Sequence, residues 1–205
     1  MTLYLRIGFH MQEPMLFKKK KSGTSTTTFA PTFKDTSVTL LNSNLRANCS
    51  NAGGGAYLTT QYSSGKWYAE FTMIQFEGPN LYSAMVGLAS NTTPYKNAWN
   101  ADTNELFWYN GGGSSQFIYR ANQRFNYGTV PVVGDVIGIA LDMDAKTIYF
   151  VRNGTAFSTV TWGASNYSSS TVFRAGVSSP NGQAGATICD FNQTPLYLPS
   201  GYNVW

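Results

Sequence analysis

The stretch Gly134–Gly154, GDVIGIALDMDAKTIYFVRNG, decides the fold. It opens on a Gly-Asp turn and runs into Val136-Ile137-Gly138-Ile139-Ala140-Leu141. Bulky side chains fall at Ile137, Ile139 and Leu141 and small ones at Gly138 and Ala140, a period of two that predicts a strand with one heavily packed face. Asp142-Met143-Asp144-Ala145-Lys146 reverses the chain with acidic and small residues that satisfy their own backbone. Thr147–Arg152 predicts the returning strand, and Asn153-Gly154 supplies the two φ > 0 positions of a type I′ turn.

Composition agrees with strands. Of 205 residues, 12% are charged and 15% aromatic, a balance that suits short strands and polar turns better than helices. The length allows one substantial core and demands no second domain. The formal charge of +4 belongs to one segment, because five of the 14 basic residues but one of the 10 acidic ones lie in residues 1–22. The body is therefore neutral, which argues against a nucleic-acid-binding face on it. Cys49 and Cys189 form no Cys-x-x-Cys or Cys/His group and are expected as two buried thiols, pairing only if the first and last strands are neighbours. There is no apolar run long enough to span a bilayer and no secretory signal pattern at the start.

Two units are expected along the chain. Residues 1–22 form an arm in which Leu3, Leu5, Ile7 and Phe9 alternate, Pro14 breaks any regular element, and Phe17 leads into Lys18, Lys19, Lys20 and Lys21. The arm has too little apolar surface to fold by itself, so a neighbouring subunit is its expected holder. Residues 23–205 form the second unit, with Gly23–Phe33 an extended Thr/Ser-rich link. Strands are predicted at Ser37–Leu41, Leu45–Cys49, Ala56–Thr60, Lys66–Ile74, Ser83–Ala89, Leu106–Tyr109 and Phe117–Arg120. After the hairpin they resume at Phe157–Trp162, Thr171–Val177 and Ala186–Phe191, with an extended tail to Tyr202. Strands at this spacing, with turn chemistry between them, predict an all-β antiparallel two-sheet sandwich.

The chain resembles the SPRY-domain family, in particular its stand-alone version in phage and bacterial proteins. The resemblance rests on Val38-Thr39-Leu40 with Asn44-Leu45, on Ser64-Gly65-Lys66-Trp67-Tyr68 with Glu70, and on Val86-Gly87-Leu88-Ala89. It continues through Gly134–Asp144, Thr147-Ile148, Phe150, Asn153-Gly154, Asp190-Phe191-Asn192 and Pro195-Leu196. It covers roughly residues 30 to 202 and leaves the arm outside. What it implies is a bent sandwich of concanavalin A-like topology with its first and last strands close together. The segment 91–116 is where that family varies, so the resemblance assigns no binding residue there.

Catalytic chemistry finds little support in the residues. His10, the single histidine, lies in the arm, so the body cannot build a Ser-His-Asp or Cys-His arrangement. Glu70 and Glu77 are separated by a strand that ends at Gly78-Pro79 and do not project together as a glycosidase pair would. Asp142 and Asp144 have a metal-like i, i+2 spacing, but a tight turn beside Lys146 reads better as turn stabilisation than as a calcium site. Gly53-Gly54-Gly55 and Gly111-Gly112-Gly113 do not lead into Lys-Ser/Thr and a helix, and so are not phosphate loops. No cofactor and no metal are expected.

Binding is the better expectation. Tyr95, Lys96, Trp99, Asn100, Tyr109, Tyr119 and Arg120 offer rigid amphipathic surface of the kind enriched at protein interfaces and sugar-stacking sites. Trp99, flanked by Asn97 and Asn100, is the best exposed anchor, whereas one of Phe107 and Trp108 is expected to pack in the core. Two functional classes follow, both non-catalytic. One is an accessory on the exterior of a phage virion, a capsid decoration or cement protein held by its N-terminal arm to neighbouring virion proteins. The absence of a long repetitive shaft favours that over a tail fibre. The other is a recognition module, on a tail or fibre, whose loop 91–120 takes a host-surface glycan or protein. Location is expected on the virion, or otherwise in the cytoplasm of the producing cell.

Overall fold

The computed structural model describes residues 24–49, 54–76, 85–90, 106–109, 117–120, 123–129, 131–161, 171–179 and 187–205; at 76, 90, 106–109, 117–120 and 123–126 the description is of backbone. Strands β1 (Phe29–Lys34), β2 (Val38–Leu41), β3 (Arg46–Cys49), β4 (Gly54–Leu58) and β5 (Lys66–Phe76) come first. Then follow β6 (Met85–Ser90), β7 (Leu106–Tyr109), β8 (Phe117–Arg120) and β9 (Gln123–Asn126), and the hairpin β10 (Val136–Asp142) and β11 (Thr147–Arg152). After these come β12 (Thr155–Ala156), β13 (Val160–Thr161), β14 (Phe173–Ser179), β15 (Thr187–Phe191) and β16 (Asn203–Val204). One sheet runs β1-β4-β14-β6-β7-β8-β9; the other runs β12-β11-β10-β5-β15-β3-β2, with β13 on β11 and β16 beside β5. The described residues thus form the all-β, two-sheet sandwich that the sequence predicts.

The hairpin sits where its periodicity places it. Ile137, Ile139 and Leu141 are fully buried between the sheets, packed with Phe71, Phe150, Phe173 and Val177 in one core. Gly138 and Ala140 face the other way, and the small residues have a purpose there. Tyr68, from the neighbouring β5, lies flat across Gly138, so a β-carbon at that position would stand 2.0 Å from the Tyr68 hydroxyl. On the opposite sheet Tyr57 covers Gly176 in the same way, 2.4 Å from where a β-carbon would be. At the turn, Asn153 and Gly154 adopt φ of 48° and 84°, the left-handed pair that a type I′ hairpin requires.

Four departures from the sequence reading have physical reasons. The link at Gly23–Phe33 becomes β1 from Phe29, since Phe29 and Ala30 are buried and the strand pairs with β4; its Thr, Pro and Ser content conceals an edge strand, where Pro31 is tolerated. Of the strand expected at Phe157–Trp162 only β13 (Val160–Thr161) forms among the described residues, and Phe157 instead packs edge-on against Tyr127, 5.8 Å between ring centroids. The tail does not simply extend: β16 returns parallel to β5, and Trp205 is buried in the core. Lastly β9, which the sequence did not signal, extends the first sheet beyond β8.

β3 and β15 are neighbours, as the resemblance implies for early and late strands, yet both cysteines are free and buried. Cys189 stands opposite Ala47 and Cys49 opposite Thr187. The thiols are therefore diagonal, a spacing of about 7–8 Å between α-carbons, beyond what a disulfide spans without backbone movement. Burial, aided by Asp35, pushes the Cys49 thiol up to about 12.

Because Tyr68 is fully buried and tied by its hydroxyl to Glu70, it cannot yield to a new side chain. Gly138→Ala is expected to destabilise the domain by about 2–3 kcal/mol, the upper range for overpacking, read as a lower denaturant midpoint at unchanged slope; a neutral result would show that Tyr68 moves freely.

Candidate interaction surface

The buried carboxylates come first, since they are what most resembles chemistry. Alternation along β5 turns Ala69, Phe71 and Met73 into the core and leaves Tyr68 and Glu70 on the outer face. Glu70 is nevertheless fully buried. One oxygen, Oε1, accepts from Asn192 Nδ2 at 2.9 Å and from the Leu196 amide at 2.9 Å. The other, Oε2, accepts from the Tyr197 amide at 3.0 Å and from the Tyr68 hydroxyl at 3.2 Å. Burial and the Glu70 charge hold the Tyr68 phenol far above its ordinary range. Both oxygens are thus engaged by structural donors. They fasten residues 192–197 over the sheet, and Tyr197, Leu198 and Tyr202 then pack on Tyr68, Ala140 and Val151.

Asp142 and Asp144 act as turn residues, as their context predicts. Asp142 Oδ1 accepts from the amides of Asp144 at 3.1 Å and Ala145 at 2.9 Å, while Oδ2 pairs with Lys66 Nζ at 2.8 Å. Asp144 Oδ1 accepts from the Gly65 amide at 3.0 Å. The two side chains are spent on different partners. Among the described residues no group of three or more His, Cys, Asp or Glu side chains could hold a metal ion.

The predicted binding residues are placed only in part. Tyr95, Lys96, Trp99 and Asn100, and the arm residues Leu3, Leu5, Ile7, Phe9, Phe17 and Lys18 to Lys21, lie outside the described residues. Tyr109 is on β7, opposite Met85 and Phe117. Tyr119 and Arg120 are on β8, with Arg120 opposite Leu106 at the far end of the same pair. Tyr109 and Arg120 therefore mark opposite ends of the β7–β8 ladder. Trp108 is in register with Val86 and, through it, Val177, both core residues, whereas Phe107 is in register with Gly87 and Gly176.

A surface that the sequence reading passed over lies just before the hairpin. Val132 and Val133 are 54% and 57% exposed, on a turn held from beneath by Asp135. Its carboxylate accepts from the Val132 amide at 2.6 Å and from Asn153 Nδ2 at 2.7 Å, and pairs with Arg152 Nε at 2.7 Å. Two apolar residues before a Gly-Asp turn read naturally as the approach to a strand, which hides a protruding tip.

Burial alone would raise the Asp142 carboxyl, but Lys66 and the turn amides outweigh it and hold the group below its ordinary range. A carboxylate lowered in the folded state contributes stability that is present above its unfolded value, about 3.9, and is lost as pH falls through the folded value. Asp142→Asn is therefore expected to lower the denaturant midpoint at pH 7 and to leave wild type and variant nearly equal at about pH 2; an equal gap at both values would contradict this.

Comparisons with known proteins place this geometry. Solved structures that share the fold include three SPRY domains. The SPRY domain of human HERC1 aligns with a TM-score of 0.66 at 17% identity, over 80% of this chain and 96% of that one. The PSpry domain of TRIM65 gives 0.60 at 11%, over 80% and 90%. A further human SPRY domain gives 0.54 at 13%, over 79% and 98%. No curated protein matches the sequence. The SPRY domain family model matches residues 66–190, from the start of β5 through nearly all of β15, and the chain belongs to the SPRY domain family.

Proposed function

We infer that this chain is a non-catalytic protein-binding module and, more specifically, an accessory on the exterior of a phage particle, a decoration or cement protein held by residues 1–22. Membership of the SPRY family supports the first half, a module for protein–protein interaction. The second half draws on the concentration of the whole net charge in residues 1–22, which attracts an acidic partner surface, and on the resemblance to stand-alone phage domains.

One observation carries the anchoring role. The backbone that follows the arm is tied to the body at once. The Ser25 amide donates to Gln193 O at 2.8 Å, the Ser25 hydroxyl donates to the Trp205 carbonyl, and Gln193 Nε2 donates to Thr27 O at 3.0 Å. Thr24 and Thr194 hydroxyls meet at 3.3 Å. A partner gripping the arm would therefore pull on a chain that is fastened to the sandwich from Thr24 and Ser25 onward.

The second reading, a tail or fibre module that takes a host glycan or protein through residues 91–120, is favoured by the roots of that region. Ser90 and Leu106 end and begin adjacent paired strands, so the intervening aromatics are carried on a fixed base.

Deletion of residues 1–22 is expected to abolish incorporation into particles while leaving a soluble, cooperatively melting domain; particles that retain the truncated chain would refute the anchoring role. Trp99→Ala is expected to leave incorporation intact, and to lower host-cell adsorption or glycan-array binding about ten-fold, as loss of an aromatic hot spot does, only if the second reading holds. Unchanged adsorption and arrays would leave decoration alone.

A further inference from the structure

Among the arginine side chains that the structure describes, two are matched by carboxylates and one is not. Arg46 grips Asp190 through Nε and Nη2, at 2.5 and 2.7 Å. Arg152 pairs through Nε with Asp135 at 2.7 Å. Arg174 has no acidic partner among the described residues. Its Nη1 donates to the Leu58 carbonyl at 3.0 Å and to the Thr59 carbonyl, and its Nε is buried without an acceptor.

The strands explain how Arg174 is held. Phe173, Ala175 and Val177 of β14 turn into the core, so Arg174 stands on the outer face of the seven-stranded sheet, opposite Ala89 of β6. Its guanidinium lies 4.7 Å over the ring of Phe33, and Phe33 meets Tyr57 edge-on at 5.6 Å. Phe33 belongs to β1, an edge strand, and both it and Arg174 are half-buried beside exposed Thr59. The group sits toward the rim of the sheet.

The stack on Phe33 and the two Nη1 bonds fix a side chain that otherwise has many rotamers, so a partner meets little of the cost of ordering it. They also leave one particular edge. Nε–H and an Nη2–H of a guanidinium lie side by side and match the two oxygens of a carboxylate, which is how Arg46 holds Asp190 in this same chain. Burial draws the Arg174 guanidinium below its ordinary range, whereas the hydrogen bond to Asp190 raises that of Arg46. A buried donor without an acceptor is costly, so a ligand that brings two oxygens to this edge relieves the cost. A single cation on an aromatic shelf fits one acidic side chain, while duplex phosphates are met by rows of cations. Arginine is also among the side chains that carry most of the energy of protein interfaces.

We propose that Arg174, seated on Phe33, is the hot spot of a protein interface and takes one Asp or Glu side chain of a partner protein, two-pronged through Nε and Nη2. The proposal rests on the reading of the chain as a protein-binding module, and not on its place in a particle.

The test uses the full-length chain as wild type, Arg174→Lys, which keeps the charge and loses the fork, and Arg174→Gln, each checked for a cooperative thermal transition. The Arg174 Nε–H resonance of the wild type, assigned by its loss in Arg174→Lys, is titrated with acetyl-glutamate amide. It is expected to shift until saturated and to stay in place with acetyl-glutamine amide, a result that needs no folded variant. In parallel, a library of random peptides is selected on the immobilised wild type. Enriched peptides are expected to carry Asp or Glu at a fixed position and to bind both variants about ten-fold or more weakly, as loss of an arginine hot spot does. An equal response to the glutamine analogue overturns the proposal. So do enriched peptides that bind Arg174→Gln as tightly as wild type, an outcome in which the module reading stands. No enriched peptide on wild type overturns the module reading and the proposal with it. Saturation by inorganic phosphate at a lower concentration than by acetyl-glutamate amide overturns the carboxylate assignment. Glu13, Glu77, Asp102 and Glu105 lie outside the described residues; a shift of the same resonance in the free chain on amidating one of them (Glu→Gln or Asp→Asn) makes the occupant the chain's own and overturns the proposal.

Discussion

A carboxylate sealed from water on the outside of a sheet is the constraint on which the rest of this structure depends. Removing an ion such as Glu70 from water costs several kcal/mol unless donors replace the lost hydration, and here four do so. Three of the four come from residues 192–197, so burial of the charge and docking of that segment are one event. Once docked, the segment runs on to put Tyr197, Leu198 and Tyr202 over Tyr68 and Trp205 into the core, where its indole donates to Thr60 O at 3.0 Å. Ser25 and Thr27 are tied to the same segment. A single acidic residue in the middle of β5 thereby fixes both the outer cover of one sheet and the point at which the chain enters the sandwich.

How much of this the sequence discloses depends on whether the cause is local. The β10–β11 hairpin is legible because its determinants are adjacent: alternating bulk, an Asp-rich reversal and Asn153-Gly154. The turn role of Asp142 is legible for the same reason, whereas Asp144 holds the Gly65 amide of a distant turn. β1 is not, because its burial comes from pairing with β4 and not from its own Thr, Pro and Ser content. Nor is the role of Glu70, whose partners Asn192, Leu196 and Tyr197 are more than a hundred residues away. The smallness of Gly138 is visible in sequence, yet its reason, the ring of Tyr68 from another strand, is not.

The candidate surface divides in the same way. Aromatics and lysines announce themselves by residue type, so Trp99 and the Lys18–Lys21 run attract a functional reading without any structure. Val132 and Val133 do not, because exposed and buried valines look alike on the page. What separates them is the network of Asp135, Asn153 and Arg152 beneath, which requires the β10–β11 turn to be brought against the preceding loop. Diagonal placement of Cys49 and Cys189 is a similar case, since register alone decides that two neighbouring strands carry thiols without a bridge.

These constraints close the middle of the described faces of the sandwich. The middle of the nine-stranded sheet is covered by residues 192–205. On the other sheet Tyr57, Met85 and Ser178 face away from the core and are still buried. Among the described residues several carboxylates are engaged structurally: Glu70 by the docked segment, Asp135 by the valine turn, Asp142 by Lys66 and its own turn, Asp190 by the bidentate grip of Arg46 at 2.5 and 2.7 Å. Among the described residues these carboxylates and the covered faces are thus spent on the fold's own cohesion. The same bonds that consume those groups hold the ends of the described strands in place.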